Sequence, residues 1–294
     1  MNSRLFGNRK AILVFSLPAL CVFTLMVFYP VLQTVYRGFF DWDGLSPGVF
    51  TGLKNFFRLF QDPLFYQSTY NGVVFALVLV VFQISFATIL ALCLMNQRIP
   101  CKQYFRTAFF IPVVISVTVV CQLWSAIYNP EFGLINHIFK AIGLPYQQEW
   151  LSDMKWAIYA VAYTNVWQYT GYQFALIYAG VKSIPLDYLE AARIDGANSL
   201  QVNCRIVVPI LADTYRMCLI FALTGGLNAF ANMNLLTRGG PGTATYTLTY
   251  MTFRSAFTIQ QYGYGCAVAL MLIVQCLIVT MAMNRLFANK AVTY

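Results

Sequence analysis

Charge is what this sequence lacks. Asp, Glu, Lys and Arg make up 10% of 294 residues, against about 25% in a soluble globular domain. So few charges cannot cover a water-facing surface. With 59% hydrophobic and 17% aromatic residues and a mean hydropathy of +0.63, the composition is that of an integral membrane protein. It also excludes disorder, collagen and coiled coil.

Catalytic chemistry is equally scarce. There is one histidine, His137, and no HExxH, CxxC or Gly-Lys pair occurs. No phosphate-cradling P-loop is present, and no acid, base, nucleophile and metal set suggests an enzyme. The eight cysteines sit mostly inside apolar runs and read as small buried hydrophobes. A net charge of +9 arises from basic residues scattered between apolar runs, without the patch that nucleic acid needs.

What is present is a series of six apolar runs near residues 11–35, 70–95, 105–128, 156–181, 215–237 and 264–287, each about the 20 residues that span a bilayer. The expected fold is all-α: a six-helix transmembrane domain over residues 11–287, a cytoplasmic segment 1–10 and a tail 288–294. Arg9 and Lys10 precede the first run as in a signal peptide, but the run is too long and has no small-x-small cleavage site, so an uncleaved span is expected. With the amino terminus inside, 12 Lys and Arg fall in inner segments (Arg4, Arg9, Lys10, Arg98, Lys102, Arg106, Lys182, Arg193, Arg205, Arg216, Arg285, Lys290) and 7 in outer ones. Both termini are therefore expected in the cytoplasm.

Every Asp and Glu falls in a predicted loop or at its edge and Arg106, Arg216 and Arg285 stand at run ends, so the polar groups in the interior of the runs are neutral. These include Gln83, Gln122, Asn165, Gln168, Tyr169, Tyr172, Asn228, Asn232, Asn234 and Gln275. Each amide alone reads first as helix-to-helix glue. Together, amides and aromatic rings suit a neutral polyhydroxylated ligand, whose hydroxyls need donors and acceptors and whose apolar faces stack on rings. Asn165, Tyr169, Tyr172, Asn228 and Asn232 are the candidates to line such a path, the last two expected i, i+4 on one helix face.

The segment 183–211 reads as helix, glycine turn, helix. Ser183 is placed to cap a helix holding Asp187 and Glu190, Gly196 to end it, and Asn198 or Ser199 to start the next before Pro209. The run Glu190-Ala191-Ala192, Asp195-Gly196-Ala197, then Ile206 and Pro209 resembles the coupling loop of membrane subunits in binding-protein-dependent ABC importers. The likeness covers most of the chain and is similar to the carbohydrate branch, namely the maltose-importer large permease and its glycerol-phosphate and multiple-sugar relatives. Gly52-Leu53-Lys54-Asn55-Phe56, Asn71, Arg106 through Pro112, Asn129 through Asn136, Trp167 through Tyr172 and Thr237 through Gly242 carry it.

This resemblance implies a type I importer permease that catalyses no covalent change. Its expected partners are a second, homologous permease in a heterodimer, two copies of a cytosolic ATPase, an extracytoplasmic sugar-binding protein, the sugar and membrane lipid. ATP and Mg are expected on the partner ATPase, with no cofactor or metal in this chain, and the setting is a bacterial inner membrane. Glu190, Ala191, Ala192, Asp195, Gly196, Ala197, Ile206 and Pro209 would form the docking hairpin, with the alanines allowing close approach. Two positions depart from the family pattern: Asn203-Cys204, where an aromatic residue is common, and Arg238, where glycine is usual. The alternatives are an ATP-independent facilitator or channel and a glycerol-phosphate permease; the absence of cations inside the runs argues against anionic cargo.

Overall fold

A computed structural model describes residues 9–95, 101–144 and 146–287. The expected tail 288–294, most of the segment 1–10, and Arg4, Arg98 and Lys290 of the charge count lie outside the described residues. The first apolar run is α1 (Arg9–Phe23), a π-helical turn at Thr24–Phe28 and α2 (Tyr29–Arg37). A short antiparallel pair, β1 (Phe40–Asp41) and β2 (Val49–Phe50), follows, and then α3 (Lys54–Gln61). Asp62 is extended (φ −84°, ψ 113°), as the residue before a proline prefers. Pro63 then opens α4 (Pro63–Met95), where its missing N–H costs nothing.

Next come α5 (Lys102–Val114), α6 (Val117–Ile127), α7 (Leu134–Ala141) and α8 (Ala157–Ser183). Then come α9 (Leu186–Ile194), α10 (Ser199–Val202), a π-helical turn at Asn203–Val207 and α11 (Val208–Ile210). The chain continues through α12 (Ala212–Leu227), α13 (Ala231–Leu236) and α14 (Leu248–Phe253), and the last described element is α15 (Tyr262–Phe287). Among the described residues, three helices are each long and apolar enough to cross a bilayer: Ile12–Arg37, Pro63–Met95 and Tyr262–Phe287. Two bent pairs qualify only when taken together, α5 with α6 and Ser199–Ile210 with α12.

The third and fifth apolar runs are therefore not the single straight spans expected. The run 105–128 bends by 96° between α5 and α6. Pro112 near the end of α5 removes a backbone donor, and Ile115 (φ −70°, ψ 137°) is extended. The run 215–237 ends as a helix at Leu227 and resumes at Ala231. Asn228 Nδ2 donates to the carbonyl of Thr224 at 2.9 Å, a second bond to an end carbonyl of α12 that also accepts from the Asn228 backbone N–H at 3.0 Å.

The chain divides into two compact units, Met1–Asp62 with Thr252–Met271 and Pro63–Met251 with the remainder from Leu272. In the first, Asn55 Nδ2 donates to the carbonyls of Gly38 (3.0 Å) and Phe40 (2.8 Å), fixing α3 to the chain after α2. Gly263, in the first turn of α15, packs so tightly there that a Cβ would lie 1.9 Å from the Phe40 carbonyl oxygen. In the turn between the strands, Asp43 accepts from the backbone N–H groups of Ser46 and Leu45 and from the Ser46 hydroxyl, which pull its pKa down to about 2.

In the second unit α4 and α8 form the most extensive helix pair. At about 1.5 Å per residue the 33-residue α4 is about 50 Å long, more than the ~30 Å hydrocarbon core. Its buried stripe runs through Gly72, Ala76, Leu79, Gln83, Ala87 and Ala91, while Leu77, Val81, Phe82, Phe86 and Ile89 face outward. Both faces are apolar, so burial follows small residues that admit a neighbouring backbone, as it does between membrane helices. Gly171 takes this furthest: a Cβ there would lie 1.9 Å from the carbonyl oxygen of Phe109. Replacing it by alanine must push α5 off α8, and overpacking of this kind costs about 1–3 kcal/mol or more. Gly171→Ala is expected to lower the melting temperature in detergent, whereas Gly225→Ala, with open space around it, is expected to leave it within error.

Candidate functional site

The breaks in the helices shape the interior of the second unit. A cavity of about 450 Å³ lies where α4, α6, α8, α12 and α13 meet, within the ~300–1,000 Å³ of small-molecule pockets. All five residues proposed from sequence to line a path (Asn165, Tyr169, Tyr172, Asn228 and Asn232) border it, together with Gln83, Gln173 and Phe221. No Asp, Glu, Lys or Arg borders it. Asn228 and Asn232 reach it in a different way from that expected: Asn228 ends α12 and Asn232 lies on α13, so they do not share one helix face.

The amides divide into two groups. Gln83 Nε2 donates to Asn165 Oδ1 (3.1 Å), Asn165 Nδ2 donates to Asn232 Oδ1 (3.2 Å), and Asn232 Nδ2 approaches Cys121 Sγ at 3.9 Å. This chain of buried side chains ties α4, α8, α13 and α6 together, so Asn165 and Asn232 do the work of interhelical glue. Gln168 acts similarly, its Nε2 donating to the carbonyl of Ile115 at the α5–α6 break (3.0 Å). Tyr169, Tyr172 and Asn228 are more open, and the rings of Tyr172 and Phe221 stand edge to face at 6.2 Å between centroids.

Gln173 and Phe221 are cavity residues that the sequence reading passed over. Gln173 is 2% exposed, its Nε2 donates to the Cys218 carbonyl at 3.4 Å, and its Oε1 has no partner. Its place four residues after Tyr169 on a helix was the available signal. A polar wall with an unpartnered acceptor, aromatic faces and no fixed charge can hydrogen-bond hydroxyls and stack on apolar ring faces. Among the described residues no group of three His, Cys, Asp or Glu could hold a metal ion.

The 183–211 segment has its own geometry. Ser183 does not cap α9: it is the last residue of α8, and its hydroxyl donates to the carbonyl of Gly180 at 2.7 Å. Pro185 precedes α9 instead, and supplies no side-chain cap. Gly196 takes φ +83°, where a Cβ is disfavoured, and the N–H of Ala197 returns to the carbonyl of Ala192 at 2.9 Å. Asn198 and Gln201 form a reciprocal capping box at the start of α10.

Glu190, Ala191, Asp195, Gly196 and Pro209 are exposed, and Ala197 and Ile206 are half-buried. Ala192 is not offered to an outside surface as expected, because it is buried in a cluster with Leu189, Val202, Val207 and Leu211 that holds the two helices together. The apolar side chains that do point out are Ile194 (86% exposed), Leu200 (72%), Leu186 and Tyr188. At the other departure from the pattern, Arg238 has φ +49°, the left-handed region that glycine adopts without strain, and its carbonyl accepts from the Tyr250 hydroxyl at 2.6 Å.

Helices long and apolar enough to cross a bilayer, together with an internal cavity that no charged side chain borders, are features of a membrane transport subunit. Residues 5–291 match the family described as "Binding-protein-dependent transport system inner membrane component", and this chain belongs to it. It is 39% identical over 274 residues, 92% of each chain, to a probable ABC transporter permease, YurN, of Bacillus subtilis. It is 33% identical over 249 residues, 84% of each chain, to the multiple sugar-binding transport system permease MsmF of Streptococcus mutans. The fold is similar to that of a chain in the crystal structure of a bacterial ABC transporter for the acidic polysaccharide alginate, with a TM-score of 0.81, 22% identity, and coverage of 97% of this chain and 98% of that one.

The two groups of amides respond differently to truncation. Asn165→Leu leaves Asn232 Oδ1 without its donor and Gln83 Nε2 with only the Asn165 backbone carbonyl at 3.3 Å, at a cost of about 1–3 kcal/mol for the stranded buried polar group. A clear drop in melting temperature is expected for this variant in detergent, and little change for Tyr169→Ala or Asn228→Ala.

Proposed function

We propose that this chain is the permease subunit of an ATP-driven, binding-protein-dependent importer of a neutral saccharide, with the cavity at the α8, α12 and α13 junction as part of the sugar's path. The observation that carries the reading is the make-up of that cavity: amides and aromatic rings without one charged side chain. An anionic cargo such as a glycerol phosphate would need a cation there. The names of the relatives agree with a saccharide, among them the Streptococcus multiple-sugar permease.

Six spans then carry the chain across the membrane, α5–α6 and the bent α12 region serving as broken ones, with both termini in the cytoplasm. Broken helices lining a polar cavity are what a bilayer tolerates, since their free backbone groups are satisfied inside the protein. The complete assembly contains a second, homologous permease, two copies of a cytosolic ATPase that bind ATP and Mg, and an extracytoplasmic sugar-binding protein. The 183–211 hairpin is the coupling loop. Its exposed Ile194, Leu200 and Leu186 have no apolar neighbour to bury them outside the bilayer and suit insertion into a cleft of the ATPase. The cluster around Ala192 continues into Ala91 and Leu94 of α4 and Tyr178 and Val181 of α8, so the hairpin is joined to the helix bundle and can transmit ATPase closure to it.

The test co-expresses the tagged chain with its membrane and ATPase partners. Ile194→Asp and Leu200→Asp are expected to lose the ATPase on purification while the permease pair stays folded, and uptake driven by ATP is expected to fall at least about tenfold, since a buried charge costs more than the ~1.4 kcal/mol that a factor of ten represents. Tyr172→Ala and Asn228→Ala are expected to retain the ATPase yet slow uptake. Retention of the ATPase with full uptake in the hairpin variants would contradict the coupling role, and sugar flux without ATP would make the chain a facilitator.

A further inference from the structure

A second and larger recess, about 1300 Å³, lies between α5 and α8. Where α5 begins and α8 ends it carries three cations, Lys102 and Arg106 four residues apart on α5 and Lys182 on α8. The Arg106 guanidinium lies 5.2 Å, and the Lys182 ammonium 5.8 Å, from the centroid of the same ring, Tyr178. No carboxylate among the described residues pairs with any of the three. Three gathered cations without a counter-ion repel one another and hold a standing demand for an anion.

The other end of the recess is of opposite character. Along α5, at about 1.5 Å per residue, Phe110, Ile111 and Val114 extend the wall some 12 Å beyond Arg106, and Val114 is 74% exposed. A ligand that fits the whole recess is anionic at one end and apolar at the other. A saccharide would waste the apolar wall, and inorganic phosphate would use only the cations. The charged end is the one that the distribution of Lys and Arg assigns to the cytoplasmic face, where anionic headgroups and basic pockets between membrane helices meet.

We infer that this recess binds one anionic phospholipid, its phosphate among Lys102, Arg106 and Lys182 and an acyl chain along Phe110, Ile111 and Val114. The site is separate from the sugar cavity, with which it has no lining residue in common. The lipid would fill the seam between α5 and α8 beside the bend at Ile115, so its presence bears on how freely α5 moves against α8.

The test titrates phosphatidylglycerol and phosphatidylcholine of equal chain length into the detergent-purified complete importer and counts bound lipids by native mass spectrometry. Wild type is expected to retain one phosphatidylglycerol about tenfold more tightly than phosphatidylcholine, and the variant Lys102→Gln/Arg106→Gln/Lys182→Gln is expected to lose that preference. A second reading leaves the cations intact: the fluorescence added by Val114→Trp should be quenched more by phosphatidylglycerol brominated on its acyl chain than by the brominated phosphatidylcholine. Equal retention of the two lipids, displacement by inorganic phosphate alone, or no quenching by either lipid, as when the second permease covers the recess, would overturn the proposal.

Discussion

The hydrogen-bonded chain Gln83–Asn165–Asn232 is the constraint on which the second unit depends. An amide in an apolar interior is costly without a partner, and these three satisfy one another across α4, α8 and α13. Because the links run between helices, they define which faces meet in a bundle whose helices are apolar on every side. Hydrophobicity cannot do this: α4 is as apolar where it faces outward as where it is buried. Small residues complete the specification by setting how closely the backbones approach, at Gly171 against Phe109 and at Gly226 against Ala76.

Other amides sit at the helix breaks. Gln168 donates to the carbonyl of Ile115 at the bend between α5 and α6, and Asn228 adds a side-chain bond to the Thr224 carbonyl at the end of α12. A straight six-rod bundle would pack without a polar opening. Stopping α12 at Leu227 and resuming at Ala231 turns Asn228 and Asn232 toward one cavity from different helices, and the bend between α5 and α6 brings Val117 to its edge. Transport needs such a space, and the fold makes it by interrupting spans.

Much of this was legible in the sequence, in particular places. Runs without charge marked α4 and α15 closely, because a helix satisfies its own backbone groups in lipid. Asn165, Tyr169, Tyr172, Asn228 and Asn232 were read as one group, and they do border one cavity. The breaks were not legible: apolar runs through Pro112 and through Gly225-Gly226 look continuous when hydropathy is averaged, and proline and glycine are tolerated in membrane helices. The division of the amides into glue and open residues depends on tertiary pairing, which no spacing along one helix reveals. At 183–211 the glycine turn and Asn198 cap follow local rules, whereas the burial of Ala192 depends on Val202, Val207 and Leu211, ten to nineteen residues further on.

On the proposed function, a charge-free cavity passes a neutral saccharide under the control of a cytosolic ATPase. The most direct measurement is uptake into proteoliposomes holding the complete importer and its binding protein, comparing neutral oligosaccharides with their uronate counterparts, with and without enclosed ATP. A neutral oligosaccharide is expected to accumulate only when ATP is present, and the uronates are expected not to enter. Accumulation of the uronates to the same level, or of either cargo without ATP, would contradict the proposed function.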